Sequence, residues 1–134
     1  MKIGIVVAEF NNEITSKMEL AAVNRAKSRG VTISELIIVP GVYDIPLAVK
    51  KLLKKKNVEA VVALGAVIKG ETSHDEVIAH STANVLALLS LEFEKPVTLG
   101  ISGPRMSKKQ AIERAIPYAE NAFDAAVKMI SVLK

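Results

Sequence analysis

The chain has no cysteine and no tryptophan. Without thiols it can form neither disulfides nor thiolate metal sites, and such a composition fits a reducing cytoplasm. Aromatic residues make up only 4% of it, so a stacking platform for single-stranded nucleic acid is not expected. A net charge of +4 and a pI of about 9.4 tolerate nucleic acid but do not argue for it. The densest basic run is Lys50, Lys51, Lys54, Lys55 and Lys56. At helical spacing it reads as a solvated face and a helix C-terminus, where lysine complements the dipole. No apolar run reaches the roughly 20 residues of a membrane span. Met1-Lys-Ile-Gly4 opens on a strand-like segment rather than on a signal peptide. The expectation is a cytoplasmic protein with no nucleic-acid or membrane partner.

What is present is core. Of 134 residues, 50% are hydrophobic, too many for disorder and enough for one domain, residues 1–134. There is no internal repeat, low-complexity tract or linker. Lys2–Ala8 reads as a buried strand. Asn11 and Asn12 cap a helix in which Ile14, Met18, Ala21, Ala22 and Ala26 recur at helical spacing up to Arg29-Gly30. Ser34–Val39 is a second strand, stopped by Pro40-Gly41. Ile45–Lys56 is a second helix, Val58–Gly65 a third strand and Ser73–Phe93 a third helix. Pro96–Ser102 is a fourth strand, broken by Gly103-Pro104, and Ser107–Leu133 is a long last helix. Four alternations of strand and helix imply a parallel sheet with helices on both faces. Function in such folds sits beyond the carboxyl ends of the strands. Here those loops are Glu9-Phe10-Asn11, Pro40–Asp44, Ala66–His74 and Ser102–Met106.

The third loop is the most informative. In Gly65-Ala-Val-Ile-Lys-Gly-Glu-Thr-Ser-His74 an apolar strand stops at glycine, a second glycine and two hydroxyl residues follow, and a histidine opens the next helix. Main-chain N–H groups at a helix start suit a phosphate, and an imidazole suits proton transfer near neutral pH. A phosphorylated substrate undergoing acid–base chemistry is the first reading. His74 at a strand-end loop is read as functional rather than as a bystander. His80, six residues on, is rotated away from it, so the two cannot share a metal on one helix. Ser73 and Glu76 have the spacing of a capping box. Glu71 would repel a phosphate held by the amides of Gly70 to Thr72 unless its side chain points elsewhere. Phe10 and Tyr43 are each either core plugs or exposed rings able to stack on a planar heterocycle. Asp44 is either a first-turn acid or a ligand for substrate hydroxyls. Arg114 precedes Pro117, whose ring opposes the carbonyl of Glu113. The resulting kink could aim the arginine at a partner, and a solvated surface arginine is the alternative.

These segments, taken in order, resemble the 6,7-dimethyl-8-ribityllumazine synthases nearly end to end. Glu9-Phe10-Asn11 is similar to the family's first loop, and Pro40-Gly-Val-Tyr-Asp-Ile-Pro46 to its second. Gly65–His74 is similar to its most specific motif. Pro96-Val-Thr-Leu-Gly100 and Ala111-Ile-Glu-Arg114 follow in the expected order. The resemblance implies a flavodoxin-like three-layer αβα sandwich around a four-stranded parallel sheet, strand order 2-1-3-4. It implies condensation of a ribitylamino-pyrimidinedione with 3,4-dihydroxy-2-butanone 4-phosphate in riboflavin biosynthesis, with no metal and no organic cofactor. By resemblance Phe10 stacks on the pyrimidine, Val42, Tyr43 and Asp44 hold the ribityl chain, and Ala66, Val67 and Ile68 border the ring. Gly70, Glu71 and Thr72 contact the phosphate largely through main chain, and His74 moves protons. Leu99 and Arg114 come from a neighbouring subunit, Arg114 to the phosphate. The implied partner is the chain itself, in pentamers, of which some members assemble twelve into a shell.

The departures from the family pattern are specific. Asp44 stands where glutamate is commoner, Leu99 where phenylalanine is common, and Asp75 where an aromatic is frequent. Tyr118, Ala119, Glu120 and Asn121 replace lysines carried after the arginine by many members. The Val-Tyr-Asp and Ile-Ser-Gly-Pro segments are most similar to archaeal members, and the N-terminal extension of many members is not expected here. Two rival readings are an archaeal-type riboflavin synthase and a non-catalytic flavodoxin-like binding or shell-forming module.

Overall fold

A computed structural model describes residues 1–134. Strand β1 (Lys2–Ala8), helix α1 (Asn12–Ser28) and strand β2 (Thr32–Val39) lead into a single 3-10 turn at Val42–Asp44. Helix α2 (Ile45–Leu53), strand β3 (Ala60–Ala66), helix α3 (His74–Phe93), strand β4 (Val97–Ser102) and helix α4 (Lys108–Leu133) complete the chain. All pairings are parallel and the order is β2-β1-β3-β4. The sheet has the four strands and the order that the resemblance implies. No helix is long and apolar enough to cross a membrane.

The period-2 geometry of the strands divides the core into two layers. Ile3, Ile5 and Val7 of β1, with Ala60, Val62 and Leu64 of β3, pack against α1 and α4. Val6 and Ala8, with Val61 and Ala63, face the α2 and α3 layer. Strands buried on both faces have to be apolar at every position, which is why β1 and β3 read as continuous runs. Helix α4 presents Ala111, Ala115, Ala119, Ala122 and Ala126 to the sheet, all buried. This row of methyl groups allows a close approach. A Cβ on Gly100 would lie 3.1 Å from that of Ala122 and 2.6 Å from Leu64 Cδ2, so β4 needs glycine there. Thr98 Oγ1 donates to the Ala122 carbonyl at 2.8 Å on the same seam.

Most expected boundaries lie within one or two residues of the observed ones. The end of α2 is the exception, at Leu53 rather than Lys56. Lys95 Nζ donates to the carbonyls of Leu53 and Lys55, at 2.9 Å each. Val58 is buried and turns the chain back toward the sheet before another helical turn can form. Lys51, Lys54, Lys55 and Lys56 are exposed, and Lys55 pairs with Glu35. Helix α4 runs through Pro117 without a break. Glu113, whose carbonyl the proline cannot engage, is exposed, so water can take up that acceptor.

One ion-pair cluster joins α1 to α4. Arg25 Nε and Nη2 donate to the two oxygens of Asp124 at 2.9 and 2.6 Å, and Arg29 Nη1 adds a third bond at 3.0 Å. The Arg25 hydrogen bond, more than its charge or that of Arg29, holds the Asp124 carboxyl below its ordinary value of 3.8. A carboxyl depressed in the folded state contributes stability above its unfolded pKa and loses that contribution as pH falls through the folded one. Asp124→Asn is therefore expected to lower the denaturant midpoint near neutral pH. The gap to the native chain should close as the pH falls below 3.8. Urea titrations at neutral and strongly acidic pH check this, and a gap that stays constant would contradict it.

Candidate functional site

The four strand-end loops converge because parallel strands all finish on one side. Hydrogen bonds, all but one of them between main-chain groups, then tie the loops to one another. Glu9 N donates to Val39 O at 2.7 Å and Phe10 N to Pro40 O at 2.9 Å, joining the first loop to the second. Asn11 Nδ2 donates to Ala66 O at 2.9 Å, joining the first to the third. Val67 N reaches Ser102 O and Lys69 N reaches Met106 O, both at 2.8 Å, joining the third to the fourth.

Between the first three loops lies a cavity of about 370 Å³, a size suited to a small organic molecule. Phe10, Val42, Tyr43, Ala66, Val67, Ile68, Gly70, Thr72 and His74 line it. Phe10 and Tyr43 are each 71% exposed, which excludes the core-plug reading of both rings. Ala66, Val67 and Ile68 make an apolar stretch of its wall. The amides of Gly70 and Thr72, which line the cavity, and those of their neighbours Glu71 and Ser73 donate to no acceptor within the protein. His74 opens α3, and its own main-chain N–H donates to Thr72 Oγ1 at 3.3 Å. Unclaimed N–H groups before a 20-residue helix make a seat for an anion. His74 stands beside that seat.

Glu71 is exposed and does not line the cavity, whereas Gly70 and Thr72 on either side of it do. The repulsion expected from its carboxylate is avoided by that placement. Asp44 lies outside the lining as well. Its Oδ2 accepts from Gly41 N at 2.9 Å while its own N–H donates to Gly41 O at 3.0 Å, so the carboxylate braces the second loop. Leu99 is 52% exposed and lines a separate recess with Tyr118 and Asn121. Arg114 is exposed on α4, with Nη1 3.7 Å from Met106 Sδ. Neither Leu99 nor Arg114 reaches the cavity of its own chain. His80 is exposed and absent from the lining.

Two expectations need correction. The Ser73–Glu76 capping box does not form, because the Ser73 side chain makes no cap bond. Glu76 Oε1 instead accepts from Arg105 Nε at 2.6 Å. An ion-paired guanidinium outcompetes a neutral amide for that carboxylate. Asn11 is likewise not a side-chain cap. It sits in the left-handed region at φ 64, where asparagine is tolerated, and its amide is used on Ala66 O. Asn11, Gly41, Asp75 and Ile78 complete the lining, and none stood out as a cavity residue in the sequence. An asparagine following Glu9-Phe10 at a strand end was the only available signal for the first. Asp75 gave none beyond its unusual residue type.

The 6,7-dimethyl-8-ribityllumazine synthase family model matches residues 1–134. The chain is 53% identical to the 6,7-dimethyl-8-ribityllumazine synthase of Methanocaldococcus jannaschii, over all of this chain and 94% of that one. It is 54% identical to the protein of the same name from Archaeoglobus fulgidus, over all of this chain and 93% of that one. The counterpart from Methanosarcina mazei is 50% identical over 97% of this chain and 96% of its own length. Identity at this level over the whole of this chain, with a family model that matches from end to end, leaves one assignment: the chain belongs to the 6,7-dimethyl-8-ribityllumazine synthase family.

Proposed function

We propose that the protein is a transferase of riboflavin biosynthesis. It condenses 5-amino-6-ribitylamino-2,4-pyrimidinedione with 3,4-dihydroxy-2-butanone 4-phosphate to give 6,7-dimethyl-8-ribityllumazine. An amine of the pyrimidine attacks the ketone and forms an imine with loss of water. Phosphate is then eliminated, and the second amine closes the ring with loss of a further water. The observation that carries this reading is the cavity itself. Exposed rings and an apolar wall suited to a heterocycle line it together with an imidazole and a segment of unclaimed amides suited to a phosphate.

Phe10 stacks on the pyrimidine, which Ala66, Val67 and Ile68 border. Val42 and Tyr43 flank the ribityl chain, and Asp44 accepts from its hydroxyls after exchanging its bond to Gly41. Gly70, Glu71 and Thr72 hold the phosphate through main-chain N–H groups. His74 moves protons between the reacting nitrogen, the ketone oxygen and the carbon skeleton during imine formation and elimination. Leu99 and Arg114 serve the cavity of a neighbouring subunit, a reading supported by their absence from the lining of the cavity of their own chain. The assembly is a pentamer, built from the head-to-tail contacts that close rings, the unit from which some members of the family build a shell of twelve. The reaction takes place in the cytoplasm.

Most of the rate comes from holding two reactants together, which can supply roughly 7–11 kcal/mol. One proton-transfer group adds about 10²–10⁴-fold. Mixing the two substrates with the protein and following lumazine fluorescence tests the assignment directly, against a background kept low by the absence of tryptophan. Lumazine must form with release of phosphate. Riboflavin formed from lumazine alone would point to the sister activity instead.

His74→Ala is expected to slow turnover toward the low end of that roughly 10²–10⁴-fold range without abolishing it. Single-turnover rates at saturating substrates check this, and a variant as fast as the native protein would remove His74 from the chemistry. Phe10→Asp and Arg114→Ala chains should each be inactive alone. They should regain activity when unfolded and reassembled together, because some mixed interfaces then hold an intact pair. Verified mixed oligomers with no activity would rule out shared cavities.

A further inference from the structure

The carboxylate next to His74 has an unusual setting. Asp75 is 5% exposed and lines the cavity, yet its Oδ2 is turned to the fourth loop, accepting from Arg105 N at 2.9 Å. Arg105 adopts φ 61, the left-handed region that a non-glycine residue enters only when its surroundings impose it. The next residue, Met106, accepts from Lys69 N at 2.8 Å through its carbonyl. The fourth loop is thus bonded to both ends of the segment that carries the unclaimed amides, at Lys69 before it and at Asp75 after it. A second bond, Arg105 Nε to Glu76 Oε1, lies in the open, with the arginine side chain 79% exposed. Exposed pairs contribute little, whereas a buried acceptor bonded to a main-chain N–H contributes more and is costly to remove. The buried bond is therefore the one that fixes the loop.

We propose that Asp75 is a positioning residue: by holding the Arg105 amide it clamps the fourth loop to the start of α3 and so sets the phosphate seat and His74 relative to the heterocycle wall. The inference rests on the proposed activity and refines its phosphate end. Asp75 itself touches no reacting atom. What the clamp needs from it is an acceptor oxygen, not a negative charge, and what it needs from Arg105 is the main-chain N–H, not the guanidinium. That division yields its own controls. Asp75→Asn keeps an acceptor at the same reach. Arg105→Gly keeps the N–H and relieves the left-handed backbone. Asp75→Ala removes the acceptor, and Asp75→Leu does so while keeping the volume, should the alanine variant fold poorly.

The test is steady-state lumazine formation with each substrate varied in turn, alongside amide hydrogen exchange over residues 67–75 and 102–107. Loss of the acceptor in Asp75→Ala or Asp75→Leu should lower kcat/KM for the ketone phosphate about 10–100-fold, the scale of leaving one buried hydrogen-bonding group without its partner. The KM for the pyrimidine, whose wall at Ala66 to Ile68 precedes the segment held between Lys69 and Asp75, should stay near the native value. Exchange should quicken in the two segments and not elsewhere, and Asp75→Asn and Arg105→Gly should recover most of both properties. An unchanged kcat/KM, an equal loss toward both substrates, or an asparagine variant as poor as alanine would overturn the proposal. If the native protein forms no lumazine, the functional reading fails, and exchange alone judges the clamp. Quickening confined to the two segments in Asp75→Ala then sustains it, and its absence overturns it.

Discussion

Strand β1 pairs on one side with β2 and on the other with β3, and the whole site depends on that placement. The chain leaves β1 toward β2 by way of α1, on one face of the sheet. It leaves β2 toward β3 by way of α2, on the opposite face, as right-handed crossovers require when the direction of travel reverses. The loops after β1 and β3 therefore part to opposite faces from adjacent strands, and a crevice opens between them. Phe10 and Asn11 hang from one wall, and Ala66 to His74 form the other. The Asn11 side chain reaches across to Ala66 O, so the crevice has a fixed width at its base. The sheet around it is rigid because β1 and β3 are buried on both faces and pack against a closely approaching alanine face of α4.

On this frame the site is mostly backbone. Its unclaimed N–H groups, left over where the third loop becomes α3, need no particular side chain, only a loop held in one conformation. Glu71 can sit among those amides because it is exposed and does not line the cavity. The same need explains why the fourth loop matters although none of its residues lines the cavity. Val67, Lys69 and Asp75 are each bonded to it, and the amides between them take their direction from those anchors. A site of this kind gains rate chiefly through alignment, and its few ionisable side chains are spent on orientation as much as on proton transfer.

The alternation of strand and helix, the two-faced burial of β1 and β3 and the position of the functional loops were all legible in the sequence. Each follows from local apolar periodicity, or from the rule that parallel strands end on one side. The Gly65–His74 segment carried its own chemistry in its order of residues, and nine of the residues it and the other loops contribute, from Phe10 to His74, do line one cavity. Local rules failed where two partners compete. Ser73 and Glu76 have the spacing of a capping box, but Arg105, distant in sequence, takes the carboxylate. Asn11 has the composition of a cap, but a carbonyl on β3 takes its amide. Lys50 to Lys56 have helical spacing, but Lys95 occupies the carbonyls that a longer helix would have used. A long-range partner is invisible to any window of sequence, and only the tertiary structure decided these cases. It also decided that Phe10 and Tyr43 are exposed, that Leu99 and Arg114 do not line the cavity of their own chain, and that Asp75 is bonded to the fourth loop. The sequence by itself determined which groups each loop would carry, because periodicity and strand polarity are local. Which of them meet, and which are claimed by one another, depended on distances that exist only once the sheet has closed.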